Sequence, residues 1–195
     1  MPRAGLDAEA VVSAAAQLAD ADGLEAVTLA RVATALRVRP PSLYAHIPGG
    51  LADLRRRVGS RGARELGQAL QAAAAGRARG DALRAVADAY RAFAREHPGT
   101  YAALQPAPEP DDEAQLAAGS SAVDVVLAVL RGYGLEGDAA LHATRAIRAS
   151  LHGFVSLERG GGFGIPLSLD ESFERLVVLL DSGLREWQAL ATRER

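Results

Sequence analysis

The 195-residue chain contains no cysteine and no lysine, and only one methionine and one tryptophan. The absence of cysteine excludes disulfides, Cys-ligated zinc and thiol nucleophiles. All 22 basic residues are arginine, which excludes a Walker A phosphate loop, a pyridoxal Schiff base and any catalytic lysine. Acidic residues interrupt the N-terminal segment, and apolar runs such as 125–130 are far shorter than a membrane span. The chain is therefore predicted to be cytoplasmic, with no membrane partner.

Helix-forming residues dominate the composition of the chain. Alanine supplies 42 residues, apolar residues recur at helical spacing, and no segment shows the alternation of a strand. The sequence therefore predicts an all-α fold. No enzyme class is indicated, because His142 and His152 lack the i, i+4 spacing of a metal helix, no Gly-x-Ser-x-Gly elbow occurs, and the glycines at 160–164 follow no strand. We predict no catalytic residue, no metal and no cofactor.

Charge is distributed unevenly along the chain, although the net charge is only −2. Residues 1–64 carry nine Arg and six acids, a balance of +3, and residues 65–195 carry 13 Arg and 18 acids, a balance of −5. Within 31–64, eight Arg accompany a single acid, Asp53. A basic patch on an acidic protein is typical of phosphate binding, whereas the alternative is a solvated helix face.

Two short helices near the N-terminus are predicted to form a helix-turn-helix. Asp7 can cap a preceding helix that ends at Gly23, and Thr28 can cap a helix over 29–36. A three-residue turn and two prolines precede a second short helix over 42–47, which Pro48-Gly-Gly ends. This second helix would present side chains to the major groove. The alternative is a buried hairpin with Tyr44 and His46 in the core, for which a proline-led helix flanked by arginine is poorly suited.

Several polar side chains are suitably placed to bind DNA. The Thr28 hydroxyl can meet a phosphate at a helix start, and Arg39 in the turn can reach a base edge or the backbone. Tyr44 and His46 carry hydrogen-bonding tips on apolar bodies.

The run from Thr28 to His46, TLARVATALRVRPPSLYAH, resembles the DNA-binding motif of the TetR family of transcriptional regulators. The resemblance covers roughly residues 7–58 and implies that DNA is contacted by Thr28, Ser42, Tyr44 and His46. Where the family commonly has a phosphate-contacting lysine after the recognition helix, this chain has Gly50. Arg55 and Arg56 are the candidate replacements, and Arg55 is included in the predicted DNA-binding set.

The resemblance also implies an architecture and partners. We expect a three-helix helix-turn-helix head at 1–50, a linking helix at about 51–64, and a larger helical domain at 65–195 for effector binding and dimerisation. The protein would be a homodimer through helices at about 138–159 and 170–190, and a repressor released from a palindromic operator by a small-molecule effector. Residues 151–158 resemble the Trp-His-Gly type of C-terminal domain, with Leu151 in place of Trp. The alternative function is a helical interaction protein without sequence-specific DNA binding.

The larger domain contains two groups of candidate effector-binding residues. In the helix predicted over 138–159, one face carries a basic stripe of His142, Arg145, Arg148 and His152. This stripe either binds an anionic or polar effector or pairs with acids such as Asp124, Asp138, Glu158 or Glu174. An apolar group could wall a pocket or belong to the ordinary core; it comprises Tyr90, Phe93, Tyr101 and Leu104.

Three local features complete the expectations. Asp170 is predicted to cap the last helix, whose apolar residues from Phe173 to Trp187 repeat at spacings of four and three and indicate a partner helix. Gly59 and Gly62 are expected to make the linking helix less than rigid. Residues 105–112, with three prolines, are expected to form a loop.

Overall fold

The computed structural model describes residues 6–107 and 112–193. These residues form eight α-helices and two 3₁₀ helices, with no strand among them, which confirms the predicted all-α class. The α-helices are α1 (Ala8–Asp22), α2 (Leu29–Leu36), α3 (Gly50–Ala74), α4 (Arg79–Glu96), α5 (Pro98–Ala103), α6 (Glu113–Gly132), α7 (Gly137–Arg159) and α8 (Leu169–Arg193). The 3₁₀ helices are Leu24–Ala26 and Pro40–Leu43.

The first two helices begin at the caps predicted from the sequence. The Asp7 carboxylate accepts a hydrogen bond from the Ala10 N–H at 2.7 Å, and the Thr28 hydroxyl accepts one from the Arg31 N–H at 3.2 Å. Gly23 ends α1, as predicted. These boundaries are predictable because each cap depends on residues three positions apart.

The predicted second helix of the helix-turn-helix is wrong in type. Residues 40–43 form a 3₁₀ helix, and a turn over 44–46 replaces the expected α-helix. Only six residues separate Pro41 from Pro48, which is too few for an α-helical ladder to grow, and Pro48 has no N–H with which to extend it. The segment is nevertheless fixed, because Leu43 and Ile47 are both 0% exposed.

The helix that follows the helix-turn-helix runs without a break through both of its central glycines. A Cβ at Gly59 would overlap the Ala103 carbonyl, and one at Gly62 would lie 2.6 Å from the Thr100 methyl group. Gly59 and Gly62 therefore permit close packing of α3 against α5. The helix is continuous through both positions, and the expectation that these glycines make it less than rigid stays a prediction.

The described residues divide into two compact units. The first unit comprises residues up to Glu65 together with Glu96–Gly119, and the second comprises Leu66–Arg95 and the residues from Ser120 onward. The predicted division into a head at 1–50, a linking helix at about 51–64 and a larger domain at 65–195 stays a prediction. In the two units, residues 96–119 lie with the N-terminal one. The reason is tertiary, since α5 packs on α1 with Gly99 directly against the Ala19 backbone.

The second unit has an apolar core with one embedded ionic cluster. Its fully buried large residues include Leu83, Leu130, Leu135 and Phe173. The last helix begins at Leu169, where the Ser168 hydroxyl accepts a hydrogen bond from the Glu171 N–H at 3.2 Å. Asp170 is therefore not the cap, because α8 starts two residues earlier than a cap at Asp170 would place it.

Three further observations concern the described residues alone. No single helix there combines the length and the hydropathy needed to cross a membrane, although α7 and most of α6, bent by 115° at their junction, would meet both criteria as a pair. No group of three His, Asp or Glu side chains there is arranged to hold a metal ion. The loop predicted over 105–112 falls partly on 108–111, outside the described residues.

Candidate nucleic-acid interface

Fully buried aliphatic side chains pack the helix-turn-helix against the core of the first unit. Val32 of α2 and Leu43 and Ile47 of the second segment are each 0% exposed. They belong to one core cluster that also contains residues of α1 and the first half of α3. Such packing holds the backbone of the 40–47 segment in one position, so the side chains on its outer side are presented from a rigid frame.

The outer side of this segment carries the predicted DNA-contacting residues. Tyr44 lies between the buried Leu43 and Ile47 and is 52% exposed, Ser42 is exposed, and His46 is half-buried. The buried-hairpin alternative required Tyr44 in the core and is therefore wrong. The Tyr44 ring is therefore accessible to a partner, on a segment that the buried Leu43 and Ile47 hold in place.

Thr28 and Arg39 lie at the starts of the two short elements. Both side chains are exposed. The Thr28 oxygen accepts from the α2 backbone, which leaves its hydroxyl proton free to donate to a phosphate. Arg39 precedes the 3₁₀ helix, and its side chain has no ion-pair or hydrogen-bond partner among residues 6–107 and 112–193.

Arg55 is already engaged by the protein. Its Nη2 donates to the Leu24 carbonyl at 3.3 Å and to the Glu25 carboxylate at 3.2 Å, and its Nε is buried with no hydrogen-bond partner among the described residues. This contact ties α3 to the first 3₁₀ helix. Sequence reasoning missed this contact, because the partners lie about 30 residues apart in the chain. Arg55 remains a predicted DNA contact, but one that has to compete with these partners.

Most of the basic patch at 31–64 is paired with acids. Arg56 binds Asp53 at 2.7 Å and Asp112 at 2.6 Å, and Arg57 binds Asp53 at 3.0 Å. Burial raises the pKa of Asp53, but hydrogen bonds from Arg57 and Arg56 outweigh burial and leave this pKa below its ordinary value. The remaining pairs are Arg31 with Asp22, Arg55 with Glu25, and Arg61 with Glu9 and Glu65.

A groove of about 360 Å³ lies in the first unit, where α1, α3 and the residue before α6 meet. Sequence analysis did not find it, because its walls come from three separated segments. Cations and anions both line it, so it presents no field of a single sign. The lining residues are Ala8, Glu9, Val12, Arg56, Arg57, Ser60, Arg64 and Asp112.

The predicted effector residues are not brought together within either unit. Tyr101 and Leu104 lie in the first unit, on or just after α5, whereas Tyr90 and Phe93 are buried on α4 in the second. Arg145 and Arg148 are exposed on α7. Half-buried His152, on the same helix, has its pKa lowered by burial and by the charges of Arg148 and Arg159.

The second unit contains a buried ionic cluster that the sequence did not reveal. Arg91 of α4 donates to both oxygens of Glu158 at 3.0 and 2.5 Å, and each side chain is 8% exposed. Its guanidinium lies 4.7 Å from the centre of the Phe173 ring, and Arg95 also contacts Glu158, at 2.7 Å. Glu158, one of the acids considered as a partner of the basic stripe, thus pairs with α4.

Comparison with known proteins gives consistent matches. Residues 83–180 match the family model described as the tetracyclin repressor-like C-terminal domain. The chain is 38% identical over 182 residues to an uncharacterized HTH-type transcriptional regulator of Mycobacterium tuberculosis, Rv0681, a match that covers 93% of this chain and 83% of the relative.

Solved structures share the fold at lower identity. Apo ActR from Streptomyces coelicolor superposes with a TM-score of 0.73 at 19% identity, over 96% of this chain and 99% of that one. A TetR variant from Acinetobacter baumannii in complex with minocycline gives a TM-score of 0.64 at 20% identity, over 98% and 99% of the two chains.

Proposed function

Because the chain belongs to the TetR family of transcriptional regulators, we propose that it binds a palindromic DNA operator as a homodimer and represses the adjacent gene. The proposed DNA contacts are Thr28, Arg39, Ser42, Tyr44, His46 and Arg55. The observation that carries this proposal is the exposure of Tyr44 (52%) between two side chains that are fully buried. No catalytic role is proposed for any residue.

The roles of these residues follow from their positions. The segment at 40–47 enters the major groove, where Tyr44, Ser42 and His46 meet base edges and the adjoining backbone. Thr28, at the start of α2, donates its hydroxyl proton to a phosphate, aided by the partial positive charge of the helix N-terminus. Arg39 extends from the turn to a base edge or to the backbone.

Dimerisation through α7 and α8 is supported by apolar residues left on their surfaces. Val178 is 52% and Leu179 is 70% exposed, and Leu141 and Leu157 of α7 are about half exposed. Adjacent helices with uncovered aliphatic side chains are suited to pack against a second copy. Two heads roughly 34–36 Å apart would then meet successive major grooves on one side of a palindrome.

Release by a small molecule is the proposed regulation. A related fold binds minocycline in the Acinetobacter baumannii structure, which supports an effector for this chain in the larger domain. An effector that binds one head spacing more tightly than the other shifts the population away from DNA. The proposed effector contacts remain Tyr90, Phe93, Tyr101, Leu104, Arg145, Arg148 and His152, and the protein is proposed to act in the cytoplasm.

Selection of binding sites from random-sequence duplex DNA tests the proposal. The purified wild-type protein is expected to enrich a two-fold symmetric sequence and to protect it in a footprint that resists non-specific competitor. If no sequence is enriched over several rounds while the protein stays folded by circular dichroism, sequence-specific regulation is contradicted. Size-exclusion chromatography with light scattering measures the proposed dimer in the same preparation.

A further inference from the structure

Arg37 has a backbone conformation that is unfavourable for a residue with a side chain. It ends α2 at φ 56° and ψ 39°, in the left-handed region. There the Cβ crowds the following carbonyl, and glycine is the residue that avoids this cost. Among residues 6–107 and 112–193, the only other non-glycine residue with a positive φ is Arg79.

The fold requires this conformation but does not use the arginine side chain. The Arg37 N–H donates to the Thr34 carbonyl at 3.1 Å, and the Val38 N–H donates to the Ala33 carbonyl at 2.9 Å. These backbone bonds close the end of α2 and would form equally well with glycine at 37. The Arg37 side chain is exposed and has no hydrogen-bond or ion-pair partner in the part of the chain described.

The lack of a carboxylate partner among the described residues distinguishes Arg37 from most of the nearby arginines. Five of the eight arginines at 31–64 are paired with carboxylates, and the three that lack such a partner among the described residues are Arg37, Arg39 and Arg64. Arg64 lies 14 residues into α3, about 21 Å along the helix from its start. Arg37 and Arg39 instead flank Val38 in the turn of the helix-turn-helix.

The turn lies close to where phosphates would be. Three peptide units join Arg37 to Pro40, so their Cα atoms are at most about 11 Å apart. The major groove is about 12 Å wide and is bordered by the two phosphate rows. An arginine side chain on the turn that leads into the groove can therefore reach the nearer row.

We propose that Arg37 binds a DNA phosphate and supplies the cation that this chain lacks at Gly50. The inference depends on the proposed function, since it needs the 40–47 segment to enter a DNA groove. Arg55 and Arg56, the replacements considered from the sequence, are both held by protein acceptors. A phosphate contact adds affinity on every sequence and does not select among bases.

The substitution Arg37→Gly tests this role without endangering the fold, because glycine suits a left-handed residue. The probes are a duplex enriched from random DNA by the wild-type protein and a scrambled duplex of equal length. We expect affinity for both to fall roughly five- to tenfold, and the salt dependence of log K to decrease by roughly 0.9 per protomer. Arg37→Lys is expected to restore most of the affinity, and the thermal midpoint of Arg37→Gly should equal or exceed that of the wild type.

Arg79→Gly is the matched control. Arg79 has a φ of 49°, lies in the second unit, and donates from Nε to the Gly132 carbonyl at 2.9 Å. The Arg79→Gly substitution removes one arginine charge and one left-handed arginine, as Arg37→Gly does. The DNA affinity and its salt dependence should stay as in the wild type. An equal loss in both variants would mean a general charge effect and would overturn the assignment.

The remaining outcomes separate this inference from the proposed function. If Arg37→Gly binds both duplexes as the wild type does, while Tyr44→Ala loses the enriched duplex, the Arg37 role is overturned and the proposed function is retained. A loss confined to the enriched duplex would make Arg37 a base contact and overturn the phosphate role. If the wild type binds neither duplex, the proposed function and the Arg37 role both fail.

Discussion

The Asp20 carboxylate of α1 accepts two hydrogen bonds from Thr100 at the start of α5, one from its N–H at 2.7 Å and one from its hydroxyl at 3.1 Å. The same carboxylate lies 3.1 Å from Nδ1 of His97. A residue of one helix thus caps the N-terminus of another, which is how α5 is held in the first unit. This contact also explains why 96–119 lies with the N-terminal unit.

Asp20→Ala should therefore destabilise the first unit. It removes a charged acceptor from a buried threonine and leaves the Thr100 N–H and hydroxyl unpaired, at a cost of about 1–3 kcal/mol. Asp20→Asn keeps an acceptor oxygen and should lose about half as much. Urea unfolding followed by circular dichroism measures both variants, and an unchanged free energy of unfolding in Asp20→Ala would contradict the capping role.

Gly99→Ala tests the close approach of α5 to α1. A Cβ at this position would overlap the Ala19 carbonyl, and a backbone atom cannot move aside cheaply, so we expect a loss of about 1–3 kcal/mol. Gly119→Ala is the control, because Gly119 lies in a helix of the same unit with open space around its Cβ position. That variant should be unchanged or more stable by up to about 1 kcal/mol. Equal effects in the two variants would refute the packing argument.

The buried ion pair of Arg91 and Glu158 should contribute far more than an exposed pair. Glu158→Gln leaves the Arg91 charge buried against two phenylalanine rings, with Asp170 still 2.8 Å from its Nη1, and we expect a loss of about 1.5–3 kcal/mol. The control is Glu171→Gln, whose partner Arg175 lies on the surface of α8 at 2.7 Å and which should cost less than about 0.5 kcal/mol. Similar losses of unfolding free energy in the two variants would show that the buried pair contributes no more to stability than the exposed pair.

Acid should weaken the same cluster. Hydrogen bonds from Arg91, opposed by burial and aided by Arg95, hold the pKa of Glu158 below its ordinary value of 4.5. A lowered folded-state pKa stabilises the protein above the unfolded value, and this stabilisation is lost as the pH falls below about 4.5 and through the folded value. The free energy of unfolding measured from pH 7 to pH 3 should therefore fall less steeply in Glu158→Gln than in the wild type. Parallel curves would contradict the assignment.

Arg55 offers a choice between two roles. If it contacts a phosphate as predicted, Arg55→Ala should lower affinity for all sequences and reduce the salt slope by roughly one per protomer. Glu25→Ala, which removes its acidic competitor, should then leave affinity unchanged or raise it. If both variants lose stability and neither alters the salt slope, Arg55 serves only to tie α3 to the first 3₁₀ helix.

Local features of this chain were predictable from the sequence, and features that join distant segments were not. The caps at Asp7 and Thr28 depend on neighbours three residues away and were found correctly. The pairing of Arg56 with Asp112, 56 residues apart, neutralises part of a patch that looked purely basic in the sequence. The 3₁₀ form of 40–43 was missed because the family motif suggested a longer helix, whereas Pro48 ends the segment before an α-helical ladder can extend.

Glycine shows the same division between local and tertiary causes. At Gly23 its role as a helix end was read correctly from the sequence. At Gly59 the sequence suggested a weak helix, but the backbone of Ala103 requires the absence of a side chain. Propensity alone does not identify this cause, because the partner helix begins almost 40 residues later in the chain.

The most direct test of the central claim is the affinity of Tyr44→Ala for the duplex that the wild-type protein enriches from random DNA. About half of the Tyr44 side chain is buried, so the free energy of unfolding should fall by about 1–2 kcal/mol, which leaves the protein folded. Affinity should fall by at least about 30-fold, the effect of losing a central contact. The control Leu116→Ala, which removes another exposed apolar side chain of the first unit, should bind as the wild type does. A Tyr44→Ala protein that is folded, dimeric and unchanged in affinity would contradict the account.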